Sequence, residues 1–318
     1  MAISAGSLLR PPLTADYRSR SSLLKAGLFF ILVGFGVAMV AFISSLVQAG
    51  RDGTAAQIAA QAAWTFGVAT AALGIVKSGI AMILWGIVRR LWIRVESLKE
   101  ALPKLVRQSN GAARIQAGRI STPYGGGLVT QRAPAALPIH RMAYMMWAPM
   151  LMMGVMGVAI GLVLSFFEAQ AASGGNTGAF QTLRALVPGI EFLGEGLILA
   201  GISFLLGSIL GSIRQGGGEV QESLNVGVKT LSMPLTAKLF VGLMMMGLMV
   251  EMVQFGLYVY VATLSDVSTI DSYLTWLGPL REAGLGFLLS GIVLALGTIG
   301  NVLGFQFDRI RELITTGR

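Results

Sequence analysis

Residues 186–213 read LVPGIEFLGEGLILAGISFLLGSILGSI, an apolar run in which Glu191 and Glu195 are the only charged residues. A helix needs about 20 apolar residues to cross the roughly 30 Å hydrocarbon layer of a bilayer, so this run predicts a transmembrane helix. Five other runs of similar length and composition occur in the chain. The six predicted spans are Leu24–Val47, Trp64–Val88, Met142–Phe167, Leu186–Ile213, Leu239–Leu264 and Trp276–Phe305.

The composition of the chain agrees with a membrane protein. Of its 318 residues, 54% are hydrophobic and only 12% are charged, whereas soluble domains are about 25% charged. The runs are too long and too evenly apolar for the alternating strands of a membrane barrel. We therefore predict an all-α, polytopic membrane protein with six transmembrane helices.

Successive spans pair into three tandem helical hairpins with a shared glycine pattern. A small residue, a glycine and an isoleucine recur in the second helix of each hairpin, and a single glycine recurs in the first helix. The first-helix glycines are Gly34, Gly154 and Gly247, and the second-helix glycines are Gly79, Gly201 and Gly291. Hairpins of one topology predict parallel repeats related by a pseudo-threefold axis along the membrane normal.

The basic residues predict the orientation of the chain. Of 24 Lys and Arg residues, 20 lie on the side of the membrane where the chain begins. An excess of basic residues marks the cytoplasmic side, so both termini are expected in the cytoplasm of a cell with an inner membrane. The segments are then 1–23 (cytoplasmic), 24–88 (hairpin 1), 89–141 (cytoplasmic loop), 142–213 (hairpin 2), 214–238 (cytoplasmic loop) and 239–318 (hairpin 3 with a cytoplasmic tail).

The loop 89–141 begins as a basic amphipathic segment, which is typical of a helix at the membrane interface. Its residues expected to meet anionic lipid headgroups are Arg89, Arg90, Trp92, Arg94 and Lys99. The Gly- and Pro-rich part that follows, residues 121–138, is typical of an irregular linker. Likewise, the glycines at 216–218 are expected to end the fourth helix.

Five charged residues lie within or near the spans and form a predicted intramembrane cluster: Lys77, Glu191, Glu195, Glu251 and Arg281. Placing one such charge in the middle of a membrane helix costs about 2.5–3.5 kcal/mol on insertion scales, so each of these residues requires a structural or functional explanation. Lys77 and Glu251 lie at the centres of their spans and could pair, although a lysine side chain could also reach Glu195. Arg281 is expected at the depth of Glu191.

Three roles for this cluster remain open from the sequence. The charges could form salt bridges that fix the packing of the helices. One of them could face a partner subunit. Alternatively, they could line a path for a proton, an ion or a small solute.

Sixteen methionines raise the question of a metal site. Thioethers spaced along one helix face suit Cu(I), and the only histidine, His140, precedes the methionine-rich region around Tyr144. Methionine also fills irregular apolar packing, and we favour this interpretation, so no metal or other cofactor is predicted. The methionines of these stripes are Met142, Met145, Met146, Met150, Met152, Met153, Met156, Met245, Met249 and Met252.

No motif in the chain indicates a reaction. Cysteine is absent and a single histidine at a membrane edge supports no catalytic triad, so we do not expect an enzyme. The basic excess is explained by orientation, so no nucleic acid is expected. The sequence favours a non-catalytic structural or accessory subunit that binds other membrane subunits or its own copies. The alternative is a small transporter or channel for an ion, a proton or a small solute that uses the buried Lys/Glu cluster.

Overall fold

The computed structural model describes residues 17–49, 53–105 and 117–316. Most of the N-terminal segment, Arg51 and the middle of the 89–141 loop lie outside these residues. Six helices carry the described fold: α1 (Tyr17–Ala49), α2 (Ala55–Leu105), α3 (Pro138–Ser173), α4 (Thr177–Ser223), α5 (Leu235–Val261) and α6 (Val267–Thr316). All six are long and apolar enough to cross a membrane, which confirms the prediction of a helical, multi-pass membrane protein.

Helix α4 lies at the centre of the bundle. In the most apolar stretch of α4, 94% of the residues are buried, compared with 33% in the corresponding stretches of α2 and of α6. It packs against α2, α3, α5 and α6, whereas α1 packs mainly on α2, and neither α2 with α6 nor α3 with α5 forms an extended contact. The second helices of the three predicted hairpins therefore have unequal surroundings, and the structure does not show a threefold arrangement.

The glycines of the sequence pattern lie where the two helices of a hairpin meet. A Cβ added at Gly34 would lie 2.7 Å from the Ala72 carbonyl oxygen, and one at Gly154 would lie 2.7 Å from the Gly194 carbonyl oxygen. At Gly247 it would lie 2.7 Å from the Leu288 side chain. These positions need glycine because the backbones approach too closely for a side chain.

Side-chain oxygens cap several helix starts on the side opposite the basic loops. Thr54 and Gln57 bond reciprocally at the start of α2, which is the capping-box arrangement. Asn176 accepts a hydrogen bond from the Ala179 amide at the start of α4, and Asp266 accepts one from the Thr269 amide before α6. These caps let the chain reverse direction within a few residues.

Helices α2 and α4 extend well beyond their predicted spans, to Leu105 and Ser223. The prediction that the glycines at 216–218 end the fourth helix is therefore wrong. A Cβ at Gly216 would lie 2.6 Å from the Val95 side chain of α2. These glycines serve close packing inside a continuous helix instead of ending it.

The prediction of an irregular linker at residues 121–138 is also wrong in part, because two strands lie at least partly within this segment. β1 (Gly118–Thr122) and β2 (Gly125–Thr130) form an antiparallel hairpin, and β3 (Val228–Leu231) joins β2 from the loop after α4. The prediction of an all-α protein therefore omitted a small sheet. Gln221 of α4 fixes β3 by accepting from the Lys229 amide and donating to its carbonyl.

Candidate functional site

The Glu195 carboxylate on α4 is the centre of the charge cluster. Its Oε1 lies 2.9 Å from Nζ of Lys77 on α2, and its Oε2 lies 2.9 Å from Nη2 of Arg281 on α6. The Glu195 side chain is 1% exposed, and each basic side chain is 18% exposed. One buried carboxylate thus joins two helices that do not otherwise pack against each other.

Of the two acids that the sequence offered to Lys77, the structure selects Glu195 and not Glu251. Helix α2 packs against α4, whereas α5 lies on the other side of α4 and does not pack against α2. Equal depth in the membrane therefore does not identify the partner of Lys77, because the acid must also face the lysine across a shared helix interface.

Glu191, one turn before Glu195 on α4, is fully buried, and neither of its carboxyl oxygens has a hydrogen-bond partner in the described structure. Its side chain lies against two glycines on neighbouring helices. A Cβ at Gly161 of α3 would overlap its side chain, and one at Gly67 of α2 would lie 3.2 Å from its Oε1. The Thr70 hydroxyl is also close to this carboxyl.

Glu251 on α5 has a matching environment on the opposite side of α4. It is 1% exposed, and both of its oxygens lack a partner among the described residues. A Cβ at Gly196 of α4 would lie 2.7 Å from its Cγ, and one at Gly284 of α6 would lie 2.8 Å from its Oε1. Gln254, on the next turn, donates to the Leu277 carbonyl, and its own Oε1 accepts no hydrogen bond from the residues that the structure describes.

Arg281 also packs against an aromatic ring. Its guanidinium carbon lies 3.6 Å from the centre of the Phe192 ring, which is a cation–π contact. Phe192 meets Phe66 and Tyr258 edge to face, each at 5.9 Å between centroids. Arg281 thus contacts both Glu195 and Phe192, and Phe192 is next to Glu191 in the sequence.

The sequence did not identify Phe192, Gln254 or Thr70 as members of this site. Phe192 lies three residues before Glu195, so helical spacing placed it on the same side of α4. No signal in an apolar helix distinguishes such an aromatic residue from ordinary packing.

The residues predicted at the lipid interface divide into two groups. Arg90 and Arg94 are exposed, and Arg89 is half-buried. Trp92 is 3% exposed and lies in the core, so its assignment to the lipid interface is wrong. Lys99 bonds the Glu219 carboxylate at 2.8 Å and joins α2 to α4.

Most methionines of the stripes are exposed, such as Met152 at 71% and Met249 at 65%, whereas Met146 and Met150 are half-buried and pack against the core. His140 lies elsewhere, against α4, with Nδ1 3.1 Å from the Gly207 carbonyl oxygen. Among the described residues no group of His, Cys, Asp or Glu is arranged to hold a metal ion.

Chemically, the site combines one fully paired carboxylate with two buried carboxyl groups whose oxygens have no hydrogen-bond partner within the part of the chain that the structure describes. The first can hold α2, α4 and α6 together. The other two are titratable groups in a region where charge is expensive. Comparisons with family models, with curated proteins and with solved structures give no match.

Proposed function

We propose that this chain is a non-catalytic structural or accessory subunit of a larger membrane assembly, and that it docks through the hairpin α5–α6. The single observation that carries this proposal is a row of glycines on the outer face of α6. Gly278, Gly286, Gly297 and Gly300 all have open space where a Cβ would project. Their spacing places them along one side of the helix.

Glycine on a lipid-facing surface lacks an evident benefit in an isolated bundle. It costs about 1 kcal/mol relative to alanine within a helix. Small residues do allow a second helix to approach closely, and interfaces between membrane helices are enriched in them. The glycine row on α6 is thus typical of a surface that a second helix covers.

The first two hairpins use their glycines differently. Gly27, Gly79, Gly161 and Gly194 all meet atoms of a neighbouring helix of the same chain within 3 Å of an added Cβ. Other than on α5 and α6, only Gly36 of α1 and Gly178 at the start of α4 are described helical glycines with open space around them. The contrast supports the third hairpin as the docking element.

Helix α5 adds an adaptable surface beside this row. Met245, Met246, Met249 and Met252 are between 47% and 65% exposed. Methionine side chains are flexible and polarizable, and they are common on binding surfaces that must adapt to a partner. The partner would be another membrane subunit or a second copy of this chain.

The test compares two glycine variants in mild detergent by native sizing, with identification of any co-migrating protein. We expect Gly297→Leu to convert a larger assembly into the monomer, because the new side chain blocks the approach of a second helix. Gly36→Leu is the matched control, since it adds the same side chain in open space on α1. A monomeric wild type, or an equal effect of both variants, would contradict the proposal.

We also infer that the protein lies in a cell inner membrane with both termini in the cytoplasm, in contact with anionic headgroups. The basic residues on one side support this orientation, and exposed Arg90 and Arg94 are available to lipid phosphates. The glycine pattern at the hairpin interfaces supports an origin of the fold from three tandem hairpins.

A second function, transport of a proton or small cation, is favoured by one specific observation. Glu191 and Glu251 are buried and have no partner in the described structure, on either side of the paired Glu195. Ionisable residues inside a membrane commonly mark ion or proton paths. Against this role, no residue of the cluster lines the cleft beside the small sheet or the cleft formed by α2, α4 and α6.

Proton flux into liposomes separates the two functions. A transporter should lose most of its flux in Glu191→Gln and Glu251→Gln and keep it in Glu100→Gln, since Glu100 is exposed and lies outside the cluster. A structural subunit should show no flux above that of empty liposomes in any of these forms.

A further inference from the structure

A cleft of about 240 Å³ opens between α3 and α5 near the small sheet. Its floor is α4, and the end of β3 with the chain that follows closes one side. Because α3 and α5 have no extended contact, the cleft lies in a gap of the bundle surface. It is separate from the charge cluster and from the outer face of α6.

Most of the cleft is lined by hydrocarbon. Ala143 of α3, Phe204 of α4 and Ala237, Phe240 and Met244 of α5 all contribute to its walls. Apolar cavities of about 150 Å³ stay dry and accept small hydrocarbons. A cleft of this size and lining therefore suits an alkyl chain better than water.

At the polar end of the cleft lies Arg214 of α4. Its Nη1 is buried without a hydrogen-bond partner, and no carboxylate of the described residues forms an ion pair with it. The Arg214 side chain is half-buried, but this one nitrogen has lost its water without gaining a hydrogen bond, which is costly. An arginine binds phosphate through parallel N–H donors, which is the interaction that this group lacks.

The helix termini add positive potential at the same end. His140 also lines the cleft, but its Nδ1 donates to the Gly207 carbonyl, so Nε2 of the neutral ring is an acceptor and adds no positive charge. Helices α3 and α5 both begin here, at N-caps Leu137 and Pro234 that provide no side-chain cap. Helix N-termini favour an anion.

We propose that this cleft binds one anionic phospholipid of the surrounding bilayer. The phosphate lies on Arg214 at the starts of α3 and α5, and one acyl chain lies along Ala143, Phe240 and Met244. The bilayer is the source because the cleft opens between two membrane helices near the predicted headgroup level. Basic pockets of this kind between membrane helices bind anionic lipids. The site does not depend on the docking function proposed above.

The experiment uses the full chain, delipidated in detergent and then mixed with phosphatidylglycerol, with phosphatidylcholine of the same acyl chains, or with oleate. Native mass spectrometry counts and identifies the retained molecules. We expect one phosphatidylglycerol per chain, and at least a tenfold weaker retention of phosphatidylcholine and of oleate. Arg214→Gln should reduce phosphatidylglycerol retention at least tenfold.

Arg132→Gln is the matched control, since it removes the same charge from an exposed arginine that does not line the cleft. Ala237→Leu tests the site independently of Arg214, because it fills the apolar part and should also reduce retention. Equal retention by wild type and both cleft variants would overturn the proposal. So would equal binding of the two phospholipids, or a preference for oleate.

Discussion

Replacing Glu195 by leucine removes the carboxylate that Lys77 and Arg281 share, and leaves two basic groups without their partner. Removing one member of a buried ion pair costs about 3–5 kcal/mol, because the remaining charge is uncompensated. Both bases are 18% exposed, so part of their charge can turn toward water or headgroups. We therefore expect a loss of unfolding free energy near the lower end, at about 3 kcal/mol.

Two companion variants make this reasoning specific. In Lys77→Leu, Glu195 keeps its bond to Arg281, so the loss should be smaller, at about 1.5–3 kcal/mol for one hydrogen bond to a charged group. Replacing Lys77, Glu195 and Arg281 together by leucine should recover most of the stability, because apolar replacement of a whole buried ion group is often neutral or favourable.

The assay is reversible unfolding in mixed micelles with increasing sodium dodecyl sulfate, followed by tryptophan fluorescence. The double-mutant cycle of Lys77→Leu and Glu251→Leu is the control for the pairing that the structure does not contain, and Glu251→Leu should change the stability by the same amount in the wild type and in Lys77→Leu. If Glu195→Leu unfolds like wild type, or if the triple variant is less stable than Glu195→Leu, the shared carboxylate does not hold the helices.

Three further predictions concern the sheet, the outer cap and the orientation. Gln221→Leu should cost about 2 kcal/mol, because it leaves the Arg309 Nε and the Lys229 amide without their acceptor; faster proteolysis within 118–130 would report it. Hydroxyl groups of Thr269 and then Ser268 lower the pKa of Asp266 to about 2. Its stabilisation of the α6 start should therefore be complete above pH ~4 and decrease as pH falls toward about 2, which hydrogen exchange of residues 267–271 measures against Asp266→Asn. Because the chain has no cysteine, a single cysteine at Gly178 should react with a membrane-impermeant maleimide outside intact cells, and one at Gln131 should not.

The six spans were predictable because hydrocarbon imposes a length and a composition on every crossing helix. The glycine pattern was also readable, since close approach of two helices leaves few alternatives to glycine at the contact. Gly34, Gly154 and Gly247 all lie at such contacts. These features depend on local sequence, so a single chain is enough to reveal them.

The small sheet was not predictable, because its third strand lies far in sequence from the hairpin of the first two. β2 pairs Gly127 with Leu231 across about a hundred residues, and glycine-rich strands resemble linkers by composition. Gly125 has φ +124°, a conformation that favours glycine at this turn. The same glycine preference is what made the segment look irregular.

The partner of Lys77 was predictable only in part. Counting residues gives depth through the rise of 1.5 Å per residue, and depth admitted both Glu195 and Glu251. The rotation of each helix about its own axis decides between them, and apolar helices with little polar contrast do not reveal that rotation. The burial of Trp92 was missed for the same reason.

The central position of α4 has a consequence for biosynthesis. When Glu195 enters the membrane, Lys77 has already been made, because it lies 118 residues earlier, but Arg281 follows 86 residues later. At a translation rate of about 5–20 residues per second, the nascent chain waits about 4–17 s for the second base. The lysine is therefore the first counterion available to the acidic helix, and the ribosome delivers the arginine only when the last hairpin closes over it.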